Sequence, residues 1–247
     1  MIVLEDINSD FGHITITKSK KNGTCTYYQD ECFHSEATAD GISTCAYVHV
    51  MYSIIRQSES RHVLMIGCAG GTLATMLHRL GCEVTVVDIN PLSFALARKY
   101  FKMPDEIDCI LEDGYSHLCG SRTCYDVIAI DAFSSDGTIP EKFTTEDFFV
   151  AVKKLLTPLG IVVMNVMVAH DMDLHADRIA LNMEAAKVHA SLFDWPGRAN
   201  RNTIVVGGPL GKTQVSSHRK PQFVKDDVRG ITRRRPRKRA FNMWDVS

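Results

Sequence analysis

The middle of the chain alternates short apolar segments with longer amphipathic ones. Residues 63–66 and 125–131 have the length and β-branched content of buried strands, whereas residues 145–156 have the spacing of an amphipathic helix. Strands and helices that alternate in this way favour βαβ crossovers and a parallel sheet covered on both faces. We therefore predict a doubly wound α/β domain. The predicted strands are 63–66, 84–88, 109–113, 125–131, 160–165 and 202–207, and the predicted helices are 72–80, 91–101 and 145–156.

The first fifty residues show a different pattern. Residues 12–18 alternate apolar and polar side chains, and residues 20–23 predict a turn that leads to a second strand at 24–28. A single hairpin is too short to fold alone. We therefore expect these residues to form a small β-rich N-terminal domain that is attached to the α/β domain. The predicted division is an N-terminal hairpin region with a helix at 44–56 in residues 1–58, a catalytic domain in 59–210, and a basic tail in 211–247.

Composition places the chain among soluble globular proteins, with 45% hydrophobic and 23% charged residues. No apolar run approaches the roughly 18 residues of a membrane span, and no basic segment precedes an apolar one at the N-terminus. We therefore expect a cytoplasmic protein without a membrane partner. None of the eight cysteines forms a CxxC pair, so we expect free thiols and no metal site.

The net charge of −1 hides an asymmetry between the body and the tail. Residues 211–247 hold eleven Lys and Arg against three Asp and Glu, a net of +8, which leaves −9 for the rest. An acidic body favours small cationic partners. Six of the seven residues in 233–239 are basic; we expect a solvated terminus there, and contact with nucleic acid only through residues 229–239.

Candidate ligand-binding residues follow the predicted strands, where ligands of doubly wound sheets lie. A glycine-rich turn after the first strand lets a ligand approach the backbone. The second strand ends in Asp88, 21 residues after Gly67, where a carboxylate accepts the hydroxyls of a ribose. Asp113 follows the third strand at the position of an adenine edge. The residues predicted to hold an adenosine-type ligand are Gly67, Cys68, Ala69, Gly70, Gly71, Asp88, Ile89, Asp113, Gly114 and Asp131.

Each of these residues alone also has a structural explanation. Asp88 is positioned to cap the helix that begins near Pro91, and Asp113 and Asp136 each precede a glycine, as in tight turns. The adenosine ligand is favoured because the residues recur after successive strands. A dinucleotide is disfavoured, because its Gly-x-Gly-x-x-Gly fingerprint is replaced here by Gly-x-x-Gly-Gly with Ala69 at the second glycine.

The run Val63-Leu-Met-Ile-Gly-Cys-Ala-Gly-Gly-Thr-Leu, followed by Asp88, Asp113 and Asp131 at the ends of later strands, resembles the spermidine synthase (polyamine aminopropyltransferase) superfamily. The resemblance covers most of residues 1–207. It implies the class I S-adenosylmethionine-dependent methyltransferase (Rossmann-like) fold, a homodimer, and S-adenosylmethionine or its decarboxylated form as co-substrate. It also implies that Asp131 is the catalytic acid and that Tyr47 lies against the amine.

Three departures from the family pattern change the expected reaction. Gly70 stands where aminopropyltransferases have an Asp that binds the amine of the decarboxylated donor. The loop from Asp131 to Asp136 is two residues longer than the family's and has no proline. Met65 stands where methyltransferases usually have an acid. These features favour the spermidine synthase-like branch and disfavour authentic spermidine synthesis.

We therefore predict a transferase that moves a methyl or aminopropyl group to a small cationic amine acceptor. A neutral amine attacks a carbon bonded to a sulfonium, and Asp131 accepts the amine proton or orients the nitrogen, with Tyr47 as second partner. Asp136 is predicted to be a further catalytic residue, and with Asp40 it would face a second ammonium group. The alternative is a non-catalytic nucleotide-binding module that acts through its basic tail on nucleic acid or an acidic partner.

Overall fold

A small antiparallel sheet forms the N-terminal part of the computed structural model, which describes residues 1–211, 215, 228 and 230–238. The strand order is β1-β2-β3-β4, and β2 and β3 form the predicted hairpin, with Ile16 opposite Tyr27. A β-bulge interrupts the pairing of β3 with β4. The strands are β1 Ile2–Ser9, β2 Gly12–Lys18, β3 Cys25–Gln29 and β4 Cys32–Ala37.

A larger mixed sheet follows, with strand order β12-β10-β11-β9-β8-β5-β6-β7. Its centre is parallel, and the strand order reverses between the neighbours β5 and β8, where α/β sheets bind their ligands. The strands are β5 His62–Ile66, β6 Glu83–Asp88, β7 Asp108–Leu111, β8 Tyr125–Ile130, β9 Leu156–Val168, β10 Ala190–Asp194, β11 Arg201–Gly207 and β12 Thr232–Arg234.

The sheet is not parallel throughout, which corrects the prediction. β11 runs antiparallel to both β9 and β10, with Ile204 opposite Asn165 on β9. The connection from β10 to β11 spans only residues 195–200. Because a parallel crossover needs a dozen or more residues, a connection of this length joins antiparallel strands.

Helices cover both faces of the large sheet, as predicted. Alternate residues of β5 point to opposite sides: Met65 packs in one apolar cluster with α1 and α2, and Ile66 packs in another with α5 and α6. α3 begins at Pro91, and the Asn90 side chain accepts a hydrogen bond from the Leu92 N–H at 3.0 Å. The α-helices are α1 Ala46–Gln57, α2 Thr72–His78, α3 Pro91–Phe101, α4 Gly114–Gly120, α5 Glu146–Leu155 and α6 His175–Ala185, with a 3₁₀ turn at Glu141–Phe143.

The small sheet packs against α3 through a third apolar cluster. Ile14, Ile16 and Tyr27 of the small sheet contact Leu96 and Phe101 of α3, and all five side chains are buried. This contact holds β4 beside the carboxyl ends of β5 and β6. The N-terminal sheet therefore forms one wall of the region where a ligand is expected. The domain boundaries at residues 58 and 210 stay predictions.

Part of the basic tail is integrated into the large sheet, which corrects the expectation of a solvated terminus. β12 pairs with β10, and Arg234 and Arg237 donate hydrogen bonds to the buried carboxylate of Asp177, Arg237 at 2.7 Å. Arg234 also reaches Asp194 at 3.4 Å. Because buried carboxylates need charged partners, these partly exposed arginines are bound to the fold through Asp177 and Asp194. Arg239, and the rest of the chain after it, lies outside the described residues.

No helix in the described part of the chain has the length and apolar character needed to cross a bilayer.

Candidate active site

Two adjacent cavities lie beyond the carboxyl ends of the central strands. The glycine-loop cavity, of about 330 Å³, is bounded by the turn after β5 and by Asp88 at the end of β6. The tyrosine cavity, of about 350 Å³, is bounded by Tyr47 of α1 and Asn165 of β9. Both volumes are within the range of small-molecule sites, which begins near 300 Å³. The residues that line both cavities are His34, Cys68, Ala69, Asp131 and Phe133.

Asp131 lies at the junction of the two cavities, directly after β8. One carboxylate oxygen accepts a hydrogen bond from the Tyr47 hydroxyl at 3.2 Å, and the other accepts one from the Asn165 amide at 2.9 Å. Asn165 in turn accepts a hydrogen bond from Asn202 at 3.0 Å. Burial raises the pKa of Asp131, and the hydrogen bonds from Asn165 and Tyr47 only partly offset it. A carboxylate fixed in orientation, with its proton affinity increased, is suited to accept a proton.

Gly67 permits this placement of Asp131. Its φ is +95°, and a Cβ atom at this position would lie 2.3 Å from the Asp131 carbonyl oxygen. The Asp131 N–H also donates to the Ile66 carbonyl at 2.9 Å, which continues the ladder between β5 and β8. Gly67 is therefore required for the close approach of two strand ends, in addition to the ligand approach that the sequence predicts.

Asp88 connects the glycine-rich turn to the start of α3. Its carboxylate accepts hydrogen bonds from the N–H groups of Cys68 and Asn90, each at 2.7 Å. Burial raises the pKa of Asp88, and the backbone hydrogen bonds act against this shift. Each oxygen accepts one of these hydrogen bonds and keeps a second lone pair. The carboxylate therefore retains capacity for two hydroxyl donors facing the glycine-loop cavity.

Asp113 lines the same cavity but is paired with a residue that the sequence analysis did not single out. It caps α4 by accepting a hydrogen bond from the Ser116 N–H at 3.0 Å, and it forms an ion pair with Lys142. Burial acts to raise the pKa of Asp113, but Lys142 and Ser116 outweigh it and leave the pKa lowered. Asp113 therefore both caps α4 and forms part of the cavity wall.

The remaining residues of the predicted turn are closely packed. Ala69 adopts a left-handed φ of 44°, and Gly71 adopts one of 60° next to Met103. A Cβ atom at Gly70 would lie 2.8 Å from the Ser35 Oγ and 2.9 Å from Phe101 Cδ1. Position 70 is therefore filled from the small sheet and from α3, and a larger side chain there would displace them. Ile89 and Gly114, which the sequence predicts to hold the ligand, line the glycine-loop cavity.

Asp136 is not brought to Asp131. Its carboxylate accepts hydrogen bonds from the N–H of Thr138 at 2.9 Å and from the Thr138 hydroxyl at 2.7 Å, which lower its pKa. Asp136 is exposed and lines neither cavity, and Asp40 is also exposed. The turn interpretation of Asp136 fits this geometry, and its predicted catalytic role finds no support in it.

Several residues of the two cavities escaped the sequence analysis, among them His34, Lys142, Asn165 and Asn202. Asn165 had a visible signal, because it is an amide within the otherwise apolar run of β9. His34 had none, since it reaches the site only through the packing of the small sheet. Its Nε2 atom is buried at the junction of the cavities and has no hydrogen-bond partner among the described residues.

The family model described as the spermine/spermidine synthase domain matches residues 44–193. The chain belongs to this family. The family assignment predicted from the strand-end motifs is therefore confirmed. The spermine/spermidine synthase domain includes Tyr47, the glycine-rich turn, Asp131 and Asn165.

Relatives of this family member fall into two groups. A polyamine aminopropyltransferase from Chromobacterium violaceum is 37% identical over 122 residues, which cover 47% of the chain and 46% of the relative. A probable polyamine aminopropyl transferase from Bifidobacterium longum is 28% identical over 85% of the chain and 41% of the relative. A human eEF1A lysine and N-terminal methyltransferase is 27% identical over 58% of the chain and 22% of the relative. The chain thus spans less than half the length of these curated relatives.

Solved structures confirm the predicted fold. A probable spermidine synthase from Corynebacterium glutamicum superposes with a TM-score of 0.75 at 17% identity, covering 98% of both chains. Human methyltransferase-like protein 13, in complex with SAH, has a TM-score of 0.52 at 20% identity, covering 81% of this chain and 93% of that one. The family member therefore has the class I methyltransferase fold with an additional small N-terminal sheet.

The cysteines and the acidic side chains form no further centre in the described structure. All eight cysteines are free thiols. Within the described residues, no three His, Cys, Asp or Glu side chains converge as metal ligands would.

Proposed function

We propose that this protein is a transferase that moves an alkyl group from an S-adenosylmethionine-type donor in the glycine-loop cavity to an amine in the tyrosine cavity. The observation that carries this proposal is the position of Asp131. It lines both cavities, and Tyr47 and Asn165 hold its carboxylate at their junction. A transfer reaction needs such a junction, because the nucleophile and the reacting carbon must meet there at about 3 Å.

The glycine-loop cavity fits an adenosyl donor. Asp88 retains lone pairs for two hydroxyl groups, and the backbone of Cys68 and Ala69 borders the space between Asp88 and Asp131. Lys142 compensates the charge of the Asp113 carboxylate. An adenine at this wall of the cavity would therefore meet an ion-paired carboxylate. The donor supplies a carbon that is activated by the positive charge of its sulfonium.

The residues of the tyrosine cavity would prepare the amine. Asp131 accepts a proton from the nitrogen, and Tyr47 keeps the carboxylate oriented through its hydroxyl. Desolvation raises the pKa of Tyr47, so its hydroxyl stays protonated and continues to donate. Asn165, fixed by Asn202, holds the other carboxylate oxygen. General acid–base groups arranged in this way contribute a rate factor of about 10²–10⁴.

The packing at Gly70 favours the carboxylated donor. In the aminopropyltransferases that this chain resembles, an Asp at the position of Gly70 binds the amine of decarboxylated S-adenosylmethionine. The Cβ atom of an Asp at this position would lie less than 3 Å from Ser35 Oγ and Phe101 Cδ1, so the surrounding side chains leave room only for glycine. Relatives named as aminopropyltransferases and as methyltransferases are both compatible with the site. We favour methyl transfer because, among the described residues that line the glycine-loop cavity, no carboxylate is present besides Asp88, Asp113 and Asp131.

The basic tail gives less support to a nucleic-acid module. Arg234 and Arg237 of the basic run are paired with Asp177, so their charges are not free for phosphates. A homodimer and a cytoplasmic location remain predictions from the family resemblance and from composition.

Titration calorimetry of the full chain with S-adenosylmethionine, decarboxylated S-adenosylmethionine and methylthioadenosine tests the proposal. We expect all three to bind, with the carboxylated donor preferred over the decarboxylated one. Asp131→Asn should retain donor binding but lower turnover with a mixed amine pool by about 10²-fold or more. Asp105→Asn, at an exposed surface ion pair with Arg98, is the matched control and should leave turnover unchanged. Failure of all three compounds to bind would refute the transferase.

A further inference from the structure

The tyrosine cavity supplies one negative charge to an acceptor. Asp131 is the single carboxylate among the described residues that line it. Asp136 and Asp40, which the sequence analysis expected to face a second ammonium group, line neither this cavity nor the glycine-loop cavity. An acceptor with two ammonium groups therefore has to place the second one outside the tyrosine cavity, because a buried cation without a charged partner is unfavourable.

A groove beside the tyrosine cavity contains a second carboxylate, that of Glu36. This Glu36 groove has a volume of about 490 Å³ and shares Phe33, Tyr47 and Asn202 with the tyrosine cavity. The Tyr47 hydroxyl donates to Asp131, so the groove adjoins the carboxylate that is proposed to receive the amine proton. Among the described residues that line the groove, Glu36 is the single carboxylate.

Glu36 is fixed in place and keeps capacity for a cation. One carboxylate oxygen accepts a hydrogen bond from the Thr26 hydroxyl at 2.9 Å, and the other accepts one from the Thr44 hydroxyl at 2.6 Å. Each oxygen keeps a second lone pair. Because both of these donors are neutral, the two hydrogen bonds orient the carboxylate without compensating its charge.

The thiol of Cys45 reports a negative potential between the two carboxylates. Cys45 lines the Glu36 groove. Burial, and to a smaller extent the negative charges of Glu36 and Asp131, raise the pKa of this thiol to about 11. A potential that disfavours a thiolate favours a cation. The boundary between the cavity and the groove therefore suits a ligand with positive charge at both ends.

The guanidinium groups of the groove do not cancel this attraction. Arg201 is paired with Asp194 at 2.6 Å and with Asp171 at 2.9 Å, and its side chain is only 6% exposed. Arg198 is exposed, so water and salt screen its charge. Glu36 is half-buried and is screened less, so its field dominates inside the groove.

From this arrangement we infer that Glu36 binds the distal ammonium group of a diamine or polyamine acceptor, in the role that the sequence analysis gave to Asp136. The inference rests on the proposed function, because it assigns a second contact to the acceptor of that reaction. The reacting nitrogen lies at Asp131, and the methylene chain crosses Phe33, whose ring is 51% exposed and lines both spaces. The distal nitrogen keeps its protons and takes no part in bond formation, so Glu36 determines acceptor specificity and adds no chemical step.

Matched amines test the inference on the full chain. Putrescine and butylamine share a four-carbon chain, cadaverine and pentylamine share a five-carbon chain, and the members of each pair differ only in the distal ammonium. We expect kcat/KM for the diamine to exceed that for the monoamine by about tenfold or more in at least one pair. Turnover is measured as thioether product formed from S-adenosylmethionine and from its decarboxylated form.

Glu36→Gln removes the charge and keeps the length of the side chain. It should lower the diamine-to-monoamine ratio of kcat/KM by about tenfold, and a ratio taken within one variant does not depend on the folded fraction. Glu31→Gln is the matched control, because Glu31 is exposed in the turn before β4 and lines neither cavity nor the groove. It should leave the ratio at the value of the unchanged protein.

Arg198→Ala tests the same groove without altering Glu36. Removing an exposed guanidinium leaves the field of Glu36 less opposed, so the diamine-to-monoamine ratio should rise by about threefold at low salt and by less at high salt. This variant decides the question if Glu36→Gln does not fold. A raised ratio then supports the inference, and an unchanged ratio overturns it.

The outcomes separate the inference from the proposed function. A ratio that falls in Glu36→Gln and not in Glu31→Gln supports the inference. Equal use of diamines and monoamines by the unchanged protein, or a ratio that Glu36→Gln leaves intact, overturns it while the proposed function stands. Donor binding without turnover of any of the four amines also overturns it, because the acceptor then belongs to another class. Absence of donor binding refutes the proposed function itself, and the inference with it.

Discussion

At the scale of single residues, two carboxylates of one loop have opposite environments. Asp131 is buried at the junction of the cavities, and burial raises its pKa above the ordinary value of 3.8. Asp136, five residues later, is exposed, and hydrogen bonds from Thr138 lower its pKa below the same value. Sequence patterning gave both residues a catalytic role, because both follow β8. Burial distinguishes them, and burial depends on how the loop folds over the site.

Asp131→Asn should stabilise the protein at neutral pH while it removes activity. Because the folded-state pKa is raised, the folded state holds its proton more tightly, and stability falls as pH rises from 3.8 through the raised pKa. Asparagine avoids this penalty, and the Tyr47 hydroxyl can reverse its role and accept from the new amide. The midpoint of urea unfolding at about pH 7 should therefore increase, and the increase should vanish near pH 4.

Asp136→Asn is the matched control for that measurement, and we expect it to shift the unfolding midpoint in the opposite direction. A lowered pKa adds stability above 3.8, which is lost as pH falls through the lowered pKa. Its replacement should lower the unfolding midpoint slightly at neutral pH. If both variants shift the midpoint in the same direction, the burial assigned to Asp131 is wrong.

At the scale of elements, β12 is attached to the sheet by a buried charge cluster. Asp177 of α6 is 1% exposed and Asp194 of β10 is 2% exposed, and together they bind Arg201, Arg234 and Arg237. Burial acts against ionisation of both carboxyls, but the arginines outweigh it. The pKa of Asp177 is lowered, and that of Asp194 falls to about 2. The stabilisation is therefore complete above 3.8 and is lost as pH falls towards 2.

Asp177→Ala should detach β12 and destabilise the protein. Removing one member of a buried ion pair leaves its partners uncompensated and costs about 3 kcal/mol or more of unfolding free energy. Asp105→Ala is the control: Asp105 is 91% exposed and pairs with Arg98, and a surface pair contributes about 1 kcal/mol or less. Chemical unfolding at neutral pH measures both, and the deficit of Asp177→Ala should persist in high salt, because buried charges are poorly screened. Equal losses in the two variants would contradict the buried cluster.

Elements with local signals were predictable from the sequence. α3 and α5 begin where Pro91 and Thr145 indicate, because a proline at the first helical position and a Thr cap are local features. α6 was missed, although its buried positions Ile179 and Met183 follow helical spacing. β10 and β12 were missed because they are short and because their pairing joins residues some forty positions apart.

The same division applies to the candidate site, where residues with a local sequence signal were predictable and contacts between distant elements were not. Asp88 and Asp131 follow from strand ends, since the carboxyl ends of parallel strands meet at one edge of the sheet. Of the partners of Asp131, Tyr47 was expected from the family resemblance alone, whereas Asn165 of β9, and Asn202 of β11 behind it, do not follow from the pattern. Contacts of this kind depend on the packing of α1, β9 and β11, which periodicity alone does not fix.

At the scale of the whole molecule, the two sheets act together at the glycine-loop cavity. Gln29 and His34 of the small sheet and Gly67 and Asp88 of the large sheet line the same space. The small sheet is held in place through the buried ring of Phe101, which lies 6.4 Å from the Tyr27 ring and against the glycine-rich turn. Donor affinity should thus depend on this interface, although Phe101 does not line the cavity.

Phe101→Leu should weaken donor binding, whereas Phe149→Leu should not. Both rings are fully buried, and each substitution should cost about 1–3 kcal/mol of unfolding free energy. Phe149 packs on α5 against Phe148, at a ring distance of 5.2 Å, and lines neither cavity. With both variants folded, titration with S-adenosylmethionine should give a Kd raised about tenfold for Phe101→Leu and unchanged for Phe149→Leu. Unchanged affinity in both variants would mean that the small sheet only covers the cavity, whereas equal weakening in both would mean that donor binding reports overall stability. A loss confined to Phe101→Leu identifies the contact between the small sheet and α3 as the link between folding and donor binding.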